Sequence, residues 1–335
     1  MLLGTLIVIS SAPALARTID PRTVIVCPTE SKDRDCRYRG GEGVQRAIDA
    51  AGPGDTIRLK AGRYSAQSFR DVPFKIHMIR GFLVIDGKDL ALVGDEGAVL
   101  DGSIGPQTTA IVANNAHLRI SGLTITGFRW GVQEDETYDG HGIFAINSRV
   151  SIKDTVIEKF LKMGLVGRGT SMIDATNLRI QDGHVGIWLR EKAYLRMSQS
   201  VVRNIVGSGL CAYDQSITQV SNAVFDTTGD DALYTEQDAI ISGVNMLIAG
   251  NKPYAARALE RSRISLDFSV LFKNEQVSLA KDNAAVNLGA AVIQTDPLVD
   301  LQLNPKPGSP LSGMGDPEIR TKDNKRSDIG LQSSL

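Results

Sequence analysis

The stretch Gly164–Val185, with the sequence GLVGRGTSMIDATNLRIQDGHV, decides the fold, because similar stretches precede and follow it. Each of these stretches opens on Gly or Asp followed by an apolar residue, and the openings are Gly142, Gly164, Gly186, Gly209 and Asp231. They are separated by 22, 22, 23 and 22 residues. A period of this length predicts stacked supersecondary units that bury their apolar side chains against one another.

The units themselves are predicted to be short strands. In Gly164–Val185 the apolar residues come in brief alternating bursts separated by Gly, Asn, Asp and Ser, at Leu165, Val166, Met172, Ile173, Leu178 and Ile180. Such bursts indicate three short strands joined by turns, and no repeat has the long 3.6-residue period of a helix. We therefore predict an all-β, single-domain, right-handed parallel β-helix with about 22 residues per coil.

Both ends of the repeat region support this prediction through a family resemblance. The segment Gly43–Tyr64 (GVQRAIDAAGPGDTIRLKAGRY) resembles the opening of the pectate-lyase-like β-helix superfamily, and Asp296–Leu298 with Pro307–Pro310 is similar to its closing segment. The resemblance implies a short N-terminal helix that caps the stack. It is specific for the fold and not for an activity, because the superfamily contains lyases, hydrolases, esterases and epimerases.

The chain is predicted to have four parts. Residues 1–16 have an apolar run and a small-residue end, Ala14-Leu15-Ala16, which is typical of a signal peptide, although no Lys or Arg precedes the run. Residues 17–42 form a lead-in, and residues 43–315 the β-helix domain. Residues 316–335 are a polar tail that we expect to be disordered or loosely packed along the last coils.

Charge and cysteine content narrow the possible partners and compartments. A net charge of −1 gives no global basic field, so nucleic acid is excluded as a partner. Cys27 and Cys36 flank a polar loop and could pair in an oxidising space, whereas Cys211 lies inside a repeat. We expect a secreted or periplasmic monomer whose mature chain does not span a membrane.

A column of outward side chains is the best candidate for a binding site. Arg168, Arg190 and Tyr213 each lie four residues after a repeat opening, so the strand alternation predicts that they stack on one surface. Stacked guanidinium groups suit the carboxylates of a uronate polymer, because each one offers a two-pronged fork. Trp188 is expected to face outward nearby as a platform for a sugar ring, with Trp130 as a weaker candidate. These residues predict an acidic glycan as the partner.

Candidate catalytic residues precede the same strands. His184, Lys162, Asp230 and Asp231 are expected to gather where the strands begin. In a lyase or an epimerase, a cation neutralises the uronate carboxylate and so acidifies the proton at C5, and a base then removes that proton. His184, Lys162 or Tyr213 could be this base. A lyase or epimerase acting on a uronate-containing glycan is therefore the first hypothesis.

A neighbouring acidic column predicts a metal site. Glu191, Asp214 and Glu236 each lie five residues after an opening and could hold Ca²⁺, which prefers clustered oxygen ligands. The acidic loop at residues 132–140 is a second candidate for a calcium site. The alternative is a solvated surface on which opposite charges of adjacent coils pair with one another.

Two further functions remain open. Gly229-Asp230-Asp231 resembles the Gly-Asp-Asp motif of polygalacturonase-type glycoside hydrolases, in which paired carboxylates activate water and protonate the leaving oxygen. The chain departs from that family, because Gly140-His141-Gly142 precedes this motif and no Asn-Thr-Asp or Arg-Ile-Lys partner is present. The third possibility is a non-catalytic glycan-binding or envelope accessory protein.

Overall fold

A computed structural model of the chain describes residues 21–129 and 139–332. The predicted signal peptide, Trp130 and most of the acidic loop at 132–140 lie outside these residues. The described residues contain one helix, α1 (Gly40–Ala50). No helix of this part of the chain is long and apolar enough to cross a membrane.

The strands fall into two sheets. Sheet 1 is made of β1 (Thr23–Cys27), β2 (Tyr38–Arg39), β3 (Asp55–Leu59), β4 (Gly62–Ser65), β7 (Asp89–Gly94), β8 (Ala98–Asp101), β10 (His117–Ser121), β11 (Thr124–Thr126), β13 (Arg149–Glu158), β15 (Met172–Gly183), β17 (Tyr194–Ile205), β19 (Ile217–Thr228), β21 (Ile240–Ala249), β23 (Arg263–Asp267), β24 (Val270–Phe272) and β26 (Ala285–Leu288). Sheet 2 is made of β5 (Arg70–Phe74), β6 (His77–Asp86), β9 (Thr109–Asn114), β12 (Ile143–Ile146), β14 (Met163–Arg168), β16 (Val185–Leu189), β18 (Leu210–Ala212), β20 (Leu233–Thr235), β22 (Tyr254–Ala258) and β25 (Gln276–Ala280).

Each central coil has three sides. A long strand of sheet 1 bends in its middle at a residue with positive φ, such as Asn177 (52°), Asn222 (49°) or Asn245 (56°). Asparagine tolerates this left-handed conformation better than most residues. The bent strand supplies two sides and the following strand of sheet 2 supplies the third, so each coil pairs in parallel with the next.

The interior is one continuous stack of apolar side chains. Strand pairing places Ile143, Leu165, Ile187, Leu210 and Leu233 directly above one another, and all five are fully buried. Burial of each such side chain contributes roughly 1.5–3 kcal/mol. The predicted right-handed parallel β-helix is confirmed.

The repeats open on glycine because the coils approach one another closely there. A Cβ atom at Gly164 would lie 2.8 Å from the carbonyl oxygen of Gly186, and one at Gly186 would lie 2.3 Å from that of Gly209. At Gly209 the corresponding contact is with the oxygen of Ala232, at 2.7 Å. Only a residue without a side chain fits these positions unless the coils move apart.

The fifth repeat begins one residue later than the sequence pattern indicated. Leu210 pairs with Leu233, so Gly209 is equivalent to Ala232 and not to Asp231. Consequently Glu236 falls into the column of Arg190 and Tyr213. Gln237 takes the place beside Asp214 that the sequence analysis assigned to Glu236.

The N-terminal end is capped as predicted. Helix α1 buries Val44, Ala47 and Ile48 against the first coils. Cys27 and Cys36 form a disulfide, with their Cα atoms 5.6 Å apart. Strand β1 pairs with β3, so part of the predicted lead-in belongs to sheet 1.

The C-terminal segment packs against the side of the solenoid. Leu303, Leu311 and Ile329 contact Val224 and Leu247 on the outer face of sheet 1. Ile329 is only 2% exposed. In the tail itself Ser327, Ile329 and Gly330 are buried, whereas most of residues 317–325 are exposed, so the tail is packed against the solenoid only in its last part.

A β-hairpin that the repeat pattern did not predict lies on sheet 2. Its strands, β5 and β6, pair antiparallel through Phe74 and His77. Val72, Phe74 and Ile79 pack onto outward-facing residues of β9, β12 and β14. The hairpin therefore covers the outer face of sheet 2 over its first coils.

Candidate functional site

The outward residues of sheet 2 form one row along the solenoid axis. Strand pairing aligns them coil by coil as Phe144, Val166, Trp188, Cys211, Tyr234 and Arg257. The first two are buried beneath the hairpin. From Trp188 onward the row extends past the hairpin.

Three aromatic side chains, which we call the aromatic row, lie side by side here: Trp188 and Tyr234 belong to the outward residues, and Tyr213 lies two residues after Cys211. The ring centroids of Trp188 and Tyr213 are 4.6 Å apart, and those of Tyr213 and Tyr234 are 5.6 Å apart. Arg190 stacks on Tyr213 at 5.1 Å, and Arg257 stacks on Tyr234 at 4.9 Å. Cation–π contacts of this kind hold guanidinium groups at a defined place on a partly exposed surface.

Arg168 does not join this surface, although the sequence pattern predicted that it would. It is 6% exposed and forms two hydrogen bonds with Glu191, from Nε to Oε2 at 2.8 Å and from Nη2 to Oε1 at 2.7 Å. Its guanidinium also stacks on Phe74 of the hairpin, 4.8 Å from the ring centroid. Arg168 is thus a buried structural residue and cannot clamp a substrate carboxylate in this arrangement.

Glu191 is the centre of a charged cluster. Its carboxylate also accepts hydrogen bonds from Lys75 Nζ at 2.6 Å and from the backbone N–H of Gly169 at 3.0 Å. Burial alone would raise the pKa of Glu191, but the hydrogen bonds from Arg168, Lys75 and Gly169 outweigh burial and lower it to about 2. The carboxylate is therefore ionised and fully engaged by cations.

The three acids predicted to hold calcium do not converge. Asp214 accepts hydrogen bonds from Arg190 Nε at 3.2 Å and from the N–H of Glu191 at 2.8 Å. Glu236 accepts one from the hydroxyl of Tyr234 at 2.8 Å. In the described ranges, the one group with the spacing of a metal site is Cys27, Asp33 and Cys36, and its cysteines form the disulfide. Glu191, Asp214 and Glu236 thus do not fit a calcium site.

Tyr213, a candidate base in the sequence analysis, lies within the aromatic row. Burial raises the pKa of its phenol, and so does the neighbouring Cys211 thiol. A phenol that keeps its proton at neutral pH is poorly suited to remove another proton. The structure gives Tyr213 the position of an aromatic contact surface.

The remaining candidates are Lys162, His184 and Asp230. They lie at the N-terminal ends of the sheet 2 strands, opposite to the ends that carry Arg168 and Arg190. Backbone hydrogen bonds connect successive coils here, from Val185 N to Lys162 O at 2.8 Å and from Gly207 N to His184 O at 2.7 Å. Asp230 N bonds to Gly207 O at 3.1 Å, so Lys162, His184 and Asp230 share one turn column. His184 lies four strand residues before Trp188, which corresponds to about 13 Å.

Asp231 is buried beneath a residue that the sequence analysis missed. Its side chain is 0% exposed, and its Oδ2 lies 2.5 Å from Nε of Arg257. Arg257 also approaches Asp230, with Nη2 3.7 Å from Oδ1. Burial raises the pKa of Asp231 to about 6, and Arg257 opposes this shift. Asp231 therefore positions Arg257, and it does not reach the surface where a substrate would lie.

An open cleft runs beside the aromatic row. It has a volume of about 480 Å³ and extends from Lys75 at the hairpin tip to Arg261, three coils beyond Arg190 and Glu191. Its charged residues are Lys75, Arg190, Lys192, Arg261, Glu191, Asp214 and Asp238. Lys192 is exposed and has no carboxylate within ion-pair distance among the described residues. Cations, amides and aromatic faces in one elongated surface suit a sugar chain that carries carboxylates.

A second open groove, on sheet 1, holds none of the predicted site residues. It has a volume of about 520 Å³, and its lining combines Ser221, Ser242 and Ser265 with the apolar residues Val220, Val244 and Leu266. No aromatic side chain lines it. The combination of rings and guanidinium groups distinguishes the face of sheet 2 from this groove.

Comparison with known proteins agrees with the fold. Residues 109–271 match the family model described as right handed beta helix region. Pectate lyase Pel9A is 12% identical, with 92% of this chain and 95% of that chain covered and a TM-score of 0.53. An exopolygalacturonase from Thermotoga maritima is 11% identical, with 76% and 89% covered and a TM-score of 0.47. No curated protein matches the sequence significantly.

The chain thus has a right-handed parallel β-helix fold, as its sequence predicts, and it shares this fold with pectate lyase Pel9A. At 12% identity, the likeness to Pel9A concerns the fold alone.

Proposed function

We propose that the protein binds a uronate-containing polysaccharide along the outer face of sheet 2 and acts on it as a lyase or an epimerase. The observation that carries the proposal is the aromatic row, with Arg190 and Arg257 stacked on two of its rings. Aromatic faces pack against the apolar faces of sugar rings, and arginine forks bind carboxylates. The face combines both contacts at successive coils.

The reaction follows from the chemistry of a bound uronate. A guanidinium group beside the sugar carboxylate stabilises the negative charge that develops when a base removes the C5 proton. In a lyase the electron pair then forms the C4–C5 double bond, the C4–O4 bond breaks and the leaving oxygen gains a proton. In an epimerase a second group delivers a proton to C5 from the opposite face, and the base keeps the proton that it removed.

His184 or Lys162 is the base in this proposal. The imidazole of His184 is exposed at its turn and so is accessible to a substrate proton. Both residues lie just before the first residues of their sheet 2 strands, about 13 Å along the strand from the aromatic row.

A hydrolase that uses Asp230 and Asp231 is the second candidate. One observation favours it, because the two neighbouring carboxyl groups have different environments, one exposed and one buried with its pKa raised to about 6. The position of Asp231 beneath Arg257 counts against it. A third candidate, a non-catalytic glycan-binding protein, would use the same aromatic row without any reaction.

Export to the cell surface, the periplasm or the medium is part of the proposal. The disulfide between Cys27 and Cys36 supports it, because such bonds persist mainly in oxidising compartments. Secretion of the full chain from its host, followed by N-terminal sequencing of the mature protein, tests this point. A start at Arg17 is expected.

A glycan panel tests the function. Purified protein is incubated with polygalacturonate, alginate and a neutral glucan, with and without Ca²⁺, and binding, unsaturated product, epimer content and reducing ends are measured. We expect binding to a polyuronate together with unsaturated product or altered epimer content. New reducing ends without unsaturation indicate the hydrolase, and binding without turnover indicates the non-catalytic protein. Absence of binding to every polyuronate contradicts the proposal.

A further inference from the structure

We infer that the protein engages the end of its polysaccharide and not the middle, because the hairpin of β5 and β6 blocks one end of the aromatic row. This inference rests on the proposed binding function and concerns the direction and limit of the binding surface. It assigns the tip of the hairpin, Lys75 and Ile76, as the contact for the terminal sugar.

The hairpin is held firmly on the face of sheet 2. The rings of Phe74 and Phe144 pack edge to face with centroids 5.6 Å apart, and the buried guanidinium of Arg168 covers the ring of Phe74 at 4.8 Å. Val112 and Val166, which face outward from the coils, are buried by these contacts. A bound polymer would have to break a packed apolar cluster to pass beneath the hairpin.

Ion pairs fix the hairpin at both ends. At the tip, Lys75 Nζ lies 2.6 Å from Glu191 Oε1, on the coil that also carries Trp188. At the base, Arg80 donates a hydrogen bond from Nε to Asp139 Oδ2 at 2.9 Å. The tip therefore lies over the coil of Trp188, and Trp188 itself packs against the apolar cluster of the hairpin.

The height of the hairpin makes it a barrier. Packed β layers stand about 10 Å apart, which exceeds the thickness of a sugar ring. Ile76, at the tip, is 92% exposed. A glycan that lies along the row from Arg257 towards Trp188 therefore meets Lys75 and Ile76 and cannot continue over the next coil.

The opposite end of the row is not covered in this way by the described residues. Beyond Arg257, sheet 2 continues only with β25. The C-terminal segment packs on sheet 1, through Leu303, Leu311 and Ile329. A sugar chain can enter from the Arg257 side, and its terminal residue then lies at Trp188.

Binding stoichiometry tests the inference. A trimer, a hexamer and a long polymer of galacturonate are titrated into the protein, and alginate oligomers replace them if the panel identifies alginate as the ligand. We expect one protein molecule per sugar chain at every length. A number of bound proteins that grows with chain length would overturn end binding while leaving the proposed function intact. Absence of binding at every length would overturn the proposed function and this inference with it.

A pair of matched substitutions locates the terminal contact. Ile76→Asp places a negative charge where the last uronate would lie, and Ile104→Asp makes the same change at an apolar residue that is 64% exposed and lines a pocket beside α1. We expect the first substitution to weaken trimer binding about tenfold, through repulsion of like charges, and the second to leave it unchanged. Equal effects of the two variants, or no effect of either, would remove the hairpin tip from the binding site.

Discussion

Arg168, at the end of β14, and Glu191, in the turn after β16 one coil further, form a doubly hydrogen-bonded ion pair that lies beneath the hairpin of β5 and β6. Arg168 is buried, and Lys75 adds a third cationic contact from the hairpin tip. Residues that the sequence suggested for carboxylate and calcium binding are thus engaged with each other. Their role is to hold the hairpin beside the aromatic row.

Loss of this ion pair is predicted to destabilise the protein. Glu191→Gln leaves the buried guanidinium of Arg168 without its carboxylate, and breaking a buried pair on one side costs about 3 kcal/mol. The denaturant midpoint should fall accordingly. The matched control is Asp238→Asn, which breaks the exposed pair of Asp238 with Arg261 and should shift the midpoint little. Similar midpoints for the two variants would contradict the account.

The same carboxylate predicts an acid transition of the hairpin. The pKa of Glu191 is lowered from its ordinary value of 4.5 to about 2, so its contribution to stability is complete above about pH 4.5 and is lost as the pH falls towards 2. The fluorescence of Trp188, which lies beside the hairpin cluster, should report this change. Glu191→Gln should remove the transition. An unchanged transition in that variant would assign it to other groups.

Asp231 predicts a pH dependence of the opposite sign. Its pKa is raised from 3.8 to about 6, so the folded state binds a proton more tightly than the unfolded state does. The contribution of this group to stability is complete below about pH 3.8 and is lost as the pH rises through 6. Thermal unfolding of the wild type and of Asp231→Asn over this range measures the effect. The difference between their melting temperatures should vary with pH across this window, and a constant difference would refute the assignment.

The aromatic row predicts where binding energy is concentrated. Trp188→Ala and Tyr234→Ala each remove a sugar-stacking surface and should weaken polyuronate binding roughly 10- to 100-fold, the range for aromatic residues that dominate an interface. Tyr194→Ala, on sheet 1, is the control, because Tyr194 is also partly exposed but lies outside the row. Calorimetric titration distinguishes the variants. Weakening by Tyr194→Ala to the same degree would argue against a specific surface.

Arg257 is predicted to provide selectivity for charged sugars. Arg257→Lys keeps the positive charge but removes the planar fork and the stacking on Tyr234, which lysine reproduces poorly. Affinity for polyuronate should fall by about tenfold, and any affinity for a neutral glucan should stay the same. A parallel loss for both glycans would indicate that Arg257 supports the shape of the face and does not select charge.

The fold could be predicted from the sequence because its physical requirements recur in every coil. Gly164, Gly186 and Gly209 are demanded by the backbone of the next coil, and the apolar alternation follows from one shared core. The position of Trp188 and Arg190 on the outer face followed from the same alternation.

The rest of the site depends on features that do not repeat. One additional residue in the turn before β20 moved Asp231 inward and shifted Glu236 by one column, and a strict 22-residue count cannot detect such a change. Arg168 was expected to be exposed, because the hairpin that buries it is a local antiparallel pairing outside the repeat. Arg257 could have been found by extending the Trp188, Cys211 and Tyr234 column by one more coil.

The most direct test of the central claim is a fluorescence and calorimetric titration of the wild type and of Trp188→Ala with oligogalacturonate and oligoalginate. The account predicts saturable binding of at least one of these by the wild type, with a change in tryptophan fluorescence that disappears in the variant together with most of the affinity. Equal affinity of the two proteins, or no binding of either oligouronate by the wild type, would contradict it.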